Sequence, residues 1–193
     1  YNYLNNYVKQ NYNYICNSID EERYTISNLV KSIVLLLYVP SVTYLCYLIL
    51  NNRWDNQYIV NMGILYSLPD IVSLFMVNKM SLSTFIHHSV VFIISILCIY
   101  IDFTENTIMR VPVIYGLFST YSYLVNAVLT TRYIKIDDNY RHMLIFTSLY
   151  TYLFCCFLNW SSSIYMIYYS FNFDLLNIII ILMIISLIYD DIN

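Results

Sequence analysis

Charge is scarce in this chain. Of its 193 residues, 9 are Lys or Arg and 12 are Asp or Glu, so only 11% are charged. An ordinary soluble domain carries about 25%. So few ions cannot cover a water-facing surface, which excludes a soluble globular enzyme. They are also not concentrated in one sign. The net charge is −3, so no basic surface is available for phosphates, and a nucleic-acid binder is excluded. The same balance argues against electrostatic docking at a membrane surface. Glycine occurs 2 times and proline 3 times, which leaves no Gly/Pro linker and no phosphate-binding glycine loop. Alanine appears only as Ala127. The 3 histidines are too few for a membrane di-iron centre, and neither GxSxG nor HExxH occurs. Cys16, Cys46, Cys98, Cys155 and Cys156 include no CxxC pair, and four of them sit in apolar runs. They are expected as small core residues, not as disulfides or zinc ligands.

What is abundant is apolar and aromatic. Hydrophobic residues make up 60% of the chain, with 23 Tyr among the aromatics, and mean hydropathy is +0.59. A helix needs about 20 mostly apolar residues to cross a bilayer. Six stretches qualify or nearly so: 32–50, 56–77, 82–101, 111–131, about 143–168 and about 174–190. The fifth lies in an uncharged stretch, 143–173, too long for one straight span and too short for two. The sixth is short and ends at Asp190 and Asp191. This predicts an all-α, polytopic membrane helical bundle of about six transmembrane helices. It forms one domain over 29–193, with no fixed-period repeat. Residues 1–28 are rich in Tyr and Asn, lack a signal-peptide pattern, and are expected to form a cytosolic arm or short interfacial helix. Thr25 or Ser27 is expected to cap the first helix.

Orientation follows from basic residues near the span ends. With the loops assigned alternately, one side collects Lys9, Arg23, Lys31, Lys79, Arg132, Lys135 and Arg141, which is seven. The other collects Arg53 and Arg110, which is two. Both termini are therefore expected in the cytosol.

An ionised side chain near the bilayer centre costs at least ~2.5 kcal/mol, so each one calls for a partner and a purpose. Asp70, His87 and His88 are the main cases. A turn at 78–81 joins the second and third runs, and Asp70 precedes it by about as many residues as the histidines follow it. At ~1.5 Å per residue, all three stand roughly 12 Å from one end of a helical hairpin. Ser83 and Thr84 precede the histidines, partly on the same helix face. Asn126 in the fourth run reaches a similar level, and Ser119, Thr120 and Ser122 continue a polar stripe. The expected result is a polar intramembrane pocket opening toward the cytosol, with Pro69 kinking its wall. Three roles stay open for the histidines: fastening the hairpin to Asp70, catalysis or ligand binding, and metal binding. The third is disfavoured, since neighbours about 100° apart on one helix rarely chelate as an i, i+4 pair does. No metal and no cofactor are expected. Asn159 opens a glycosylation sequon that lies mid-span and should be unused.

The sequence Gly-Ile-Leu-Tyr-Ser-Leu-Pro-Asp at 63–70, a short Lys-containing turn, and Ser-Thr-Phe-Ile-His-His at 83–88 together resemble the TLC domain. That family includes ceramide synthases, translocon-associated TRAM proteins and less understood TLC-domain membrane proteins. The stretch 117–126, with Ser119, Thr120 and Asn126, is similar to the corresponding segment of the non-synthase members. By this resemblance His87 and His88 match the family's catalytic pair, with Asp70 orienting one of them. The chain departs from the synthases in lacking their acidic pair within 111–131. Where an acidic residue often precedes Ser-Thr, it has Gly116, Leu117 and Phe118. The basic residue usual in the fifth span is replaced around Asn159 and Trp160. The resemblance therefore implies a lipid-binding or lipid-acting protein of lipid sensing, trafficking or homeostasis, in the endoplasmic reticulum or a related endomembrane. Its partners would be membrane lipids, and a homodimer is left open. The alternatives are an acyl-CoA-dependent N-acyltransferase using a sphingoid base, and a transporter or channel with a midplane pocket.

Overall fold

The computed structural model describes residues 2–11, 16–77 and 80–192. They form an all-α membrane bundle, and no β-strand occurs among them. The helices are α1 (Asn2–Asn11), α2 (Ile19–Leu50), α3 (Asn56–Met76), α4 (Leu82–Leu97), α5 (Arg110–Ser119), α6 (Tyr123–Thr130), α7 (Asp138–Ser170) and α8 (Leu175–Ile192). Short 3₁₀ turns follow α4 at Cys98–Tyr100 and join α5 to α6 at Thr120–Ser122. Five segments are long and apolar enough to cross a membrane: α2, α3, α4 with its 3₁₀ turn, the α5–α6 rod, and α7. The apolar stretch of α8, Leu175–Asp190, is shorter.

The starts of α2, α3, α4, α7 and α8 are set by side-chain caps that satisfy otherwise unpaired N–H groups. Ser18 accepts from the Glu21 N–H, Asp55 from Tyr58, Ser81 from Thr84, and Asp137 from Asn139. Asp174 accepts from the Asn177 N–H at the head of α8. The first long helix therefore begins at Ile19, behind Ser18, and not at Thr25 or Ser27 as expected. Thr25 instead lies inside α2 and donates to the Glu21 carbonyl. The boundary expected between residues 28 and 29 falls within α2. The fifth crossing helix is also longer than expected at both ends. The turn residues Asn78 and Lys79 lie outside the described residues.

Buried hydroxyls sit beside an apolar core inside the bundle, and the outer surface is apolar, as lipid requires. Ser32, Ser67, Ser73, Ser95, Ser148 and Ser163 are buried, while Leu37, Phe75, Phe157 and Tyr168 face outward. Hydroxyls tie the helices together. Ser32 Oγ donates to the Tyr123 carbonyl of α6, Tyr38 OH to Met62 of α3, and Tyr58 OH to Ser41 of α2. Packing runs in an arc α8–α4–α3–α2–α6–α7, with α5 touching both α3 and α7. Deep in the arc, Val42, Ile59, Val91, Ile94 and Ile184 form the main apolar core. The α1 arm packs Val8 on Ile26 and Ile134 in a separate small cluster, and Lys9 pairs with Glu22 at 2.8 Å.

Pro69 leaves α3 helical throughout, so the expected kink does not interrupt the helix. The Ser73 hydroxyl donates to the Pro69 carbonyl, and the Ser27 and Ser73 hydroxyls meet at 2.6 Å, fastening α3 to α2 beside it. The fourth span does break. At Thr120–Ser122 the chain tightens to 3₁₀, and the hydroxyls of Thr120 and Ser122 turn back to the carbonyls of Gly116 and Ser119. Such back-bonding competes with the helical ladder and accounts for a local change of pitch.

Candidate functional site

α3 and α4 form an antiparallel pair, and Asp70 and the two histidines stand at one height near its turn. Asp70 is completely buried. His88 Nδ1 lies 2.9 Å from Asp70 Oδ1. The same oxygen receives the ammonium of Lys31, which reaches across from α2. The three residues make a buried cation–anion–imidazole cluster joining α2, α3 and α4. His87, one position on, turns to a different acid: its Nδ1 lies 3.1 Å from Asp190 Oδ2 at the end of α8. The two rings meet edge to face at 5.7 Å between centroids. Adjacent helix positions thus give each imidazole its own carboxylate. Both contacts are close by distance, although neither ring N–H is aligned on its oxygen.

Both histidines line a polar cavity of about 390 Å³. Lys31, Ser73, Thr84, Asn126 and Asp190 line it as well. One water needs only about 10–15 Å³ of such space, so a cavity this large and this polar is hydrated. Hydration lowers the cost of holding charges at this depth. Asp70 does not line the cavity; it stands behind Lys31 and His88. Its second oxygen, Oδ2, is buried and has no hydrogen-bond partner among the described residues. Among the described residues, the cavity wall holds one ammonium, Lys31, one carboxylate, Asp190, and both imidazoles.

The other hydroxyls anticipated here are dispersed. Thr84 and Asn126 reach the polar cavity, while the Ser83 hydroxyl meets that of Ser81 at 3.1 Å. Ser119 faces a second, smaller cavity of about 70 Å³, bounded also by Lys31, Tyr66, His87, Cys156 and Asn159. Thr120 faces a third cavity of about 80 Å³, deeper and mostly apolar. The polar stripe is split, with Ser119 and Ser122 on the smaller cavity and Thr120 on the apolar one. Asn159 is buried in α7, where it accepts from Ser163 at 3.4 Å. No group of three or more His, Cys, Asp or Glu suited to a metal ion occurs among the described residues.

Two participants escape sequence reasoning. Lys31 reads as a positive flank of the first run, and Asp190 reads as the end of the last. One signal was available for each: both are ionisable residues abutting an apolar run, at the end of the bundle that holds the histidines. Comparison with known protein families, curated proteins and solved structures finds no match.

Proposed function

We propose that this integral membrane protein binds a lipid amphiphile inside its bundle, with the polar head in the cavity beside His87 and His88. The observation that carries the reading is the 390 Å³ cavity itself, which sets Lys31, Thr84, His87, His88, Asn126 and Asp190 around one space inside an otherwise apolar bundle. Asp190 and the Asn126 amide present acceptors there, which a ligand that donates hydrogen bonds satisfies. An amine or hydroxyl head, which donates hydrogen bonds, fits this lining. The resemblance to TLC-domain proteins points the same way, toward membrane lipids and toward the endoplasmic reticulum or a related endomembrane. The test is native mass spectrometry of the purified full chain. Retention of an amine- or hydroxyl-headed lipid, lost in Asn126→Ala, supports the reading. Exclusive retention of anionic phospholipids contradicts it.

A second reading, N-acyl transfer, is favoured by the His87–Asp190 pair. A carboxylate beside Nδ1 keeps the proton there and leaves Nε2 as the base. Nε2 would take the proton of a long-chain amine as its nitrogen attacks the carbonyl of an acyl thioester. The C–N bond forms, the C–S bond breaks, and the proton passes to the leaving thiolate. The acid missing from 111–131 is then supplied by α8. For this reading, His87→Ala is expected to lower N-acyl product formation by about 10²–10⁴-fold while insertion into membranes is retained. Absence of any amide product from the unmodified chain, given a sphingoid base and acyl-CoA, leaves binding as the function.

A further inference from the structure

The three cavities are not independent, and their shared walls order them along the bundle. Lys31 and His87 line both the polar and the middle cavity. Tyr66 lines both the middle and the apolar one. On α3, Gly63, Tyr66 and Ser73 mark this succession from apolar to polar, and at ~1.5 Å per residue it covers about 15 Å. The apolar cavity has Val42, Met62, Val91 and Leu117 among its walls. Such a lining does not hold ordered water, and unfilled space forfeits dispersion contacts. The occupant that fits is hydrocarbon. Gly63 is the revealing residue, because a Cβ added there would meet nothing within 4 Å. Neither a tight backbone crossing nor a positive φ requires glycine at this point. Tyr66 packs its ring over Gly116, 3.9 Å from where a Cβ would stand, and forms the wall common to the middle and apolar cavities.

We propose that the apolar cavity takes the tail of the bound amphiphile past Tyr66, and that the open space at Gly63 sets how long a single chain can be. This rests on the head-group reading above. The probes are single-chain amino alcohols with decyl, tetradecyl and octadecyl tails. They are added to the purified full chain in nanodiscs, and retention is read by native mass spectrometry. Gly63→Leu should fold, since its side chain enters empty space and leucine favours helix over glycine. A thermal unfolding midpoint at or above that of the unmodified chain verifies this. In that variant, octadecyl retention is expected to fall at least about tenfold, the usual consequence of overfilling a packed site, while decyl retention is unchanged. Asn126→Ala should instead weaken all three probes alike. If Gly63→Leu folds and retains the three probes in the same proportions as the unmodified chain, the tail inference falls and the head-group site stands. If the unmodified chain retains none of them, the head-group reading falls and takes the tail inference with it.

Discussion

Lys31 shows how much of the site depends on a single side chain. Its ammonium pairs with the Asp70 carboxylate, which is completely buried. Breaking a buried ion pair from one side typically costs 3–5 kcal/mol, because the remaining charge is left uncompensated. Lys31→Met is therefore expected to lower the thermal unfolding midpoint sharply in nanodiscs. Lys31→Met combined with Asp70→Leu should recover most of the loss, since an apolar pair leaves no orphaned ion. A single variant as stable as the unmodified chain would show that His88 and water suffice for Asp70. The meeting of Asp70 with His88 was legible in the sequence, because equal spacing from a short turn fixes equal height in a hairpin. The Lys31 contact was not. It requires knowing that α2 starts at Ile19, which puts Lys31 about three turns inside a helix. Asp190 was hidden for a related reason: its role depends on which helix α8 lies against, and spacing along the chain does not encode that.

At the scale of elements, apolar runs located the crossing helices, and caps set their ends. The runs mark where lipid is; Ser18 and Asp137 mark where the helix starts, well outside the apolar part. The long α2 and α7 went partly unread because their first turns are polar and helical at once. The loop after α4 is a clasp built on Asp102. Its carboxylate accepts from Thr104 Oγ1 at 2.6 Å, Asn56 Nδ2 at 2.8 Å and the Thr104 N–H at 2.9 Å. Asn56 in turn accepts from the Phe103 N–H at 2.6 Å. The Thr104 hydroxyl first, then the Asn56 amide, hold the Asp102 carboxyl below its ordinary value of 3.8. Because the folded value is the lower one, the clasp contributes fully above the ordinary value. Its contribution fades as pH falls through the folded one. Amide exchange at Phe103 and Thr104, corrected for intrinsic rates, is expected to accelerate as pH drops below about 3.8. Asp102→Asn should flatten that profile, and an unchanged profile in the variant would assign the effect to another group.

For the whole molecule, the question is how many times the chain crosses. Five segments qualify by length and hydropathy, and α8 decides between an odd and an even count. Its 18 residues span ~27 Å, close to the ~30 Å of a hydrocarbon core, and a few ångströms of mismatch cost little. Both of its ends are fixed. Asp174 caps the start next to the end of α7, and Asp190 meets His87 near the start of α4. The α4 start lies at the opposite end of the bundle from the end of α7, so α8 traverses it. Six traverses return the C-terminal end to the side from which α2 enters. Among the described residues, that side carries Lys9, Arg23, Lys31, Arg132, Lys135 and Arg141, against Arg53 and Arg110 on the other. Arg110 is moreover engaged there, stacked 4.2 Å over Trp54 and donating to the carbonyls of Phe103 and Thr104. By the positive-inside rule both described ends are expected in the cytosol. A glycosylation acceptor inserted in the loop 101–109 is expected to be modified, and one appended after residue 193 is not. Modification of both would show that α8 does not cross. Modification of the C-terminal acceptor alone would invert the orientation, and the polar cavity with its histidines would then open away from cytosolic thioesters, ending the acyl-transfer reading.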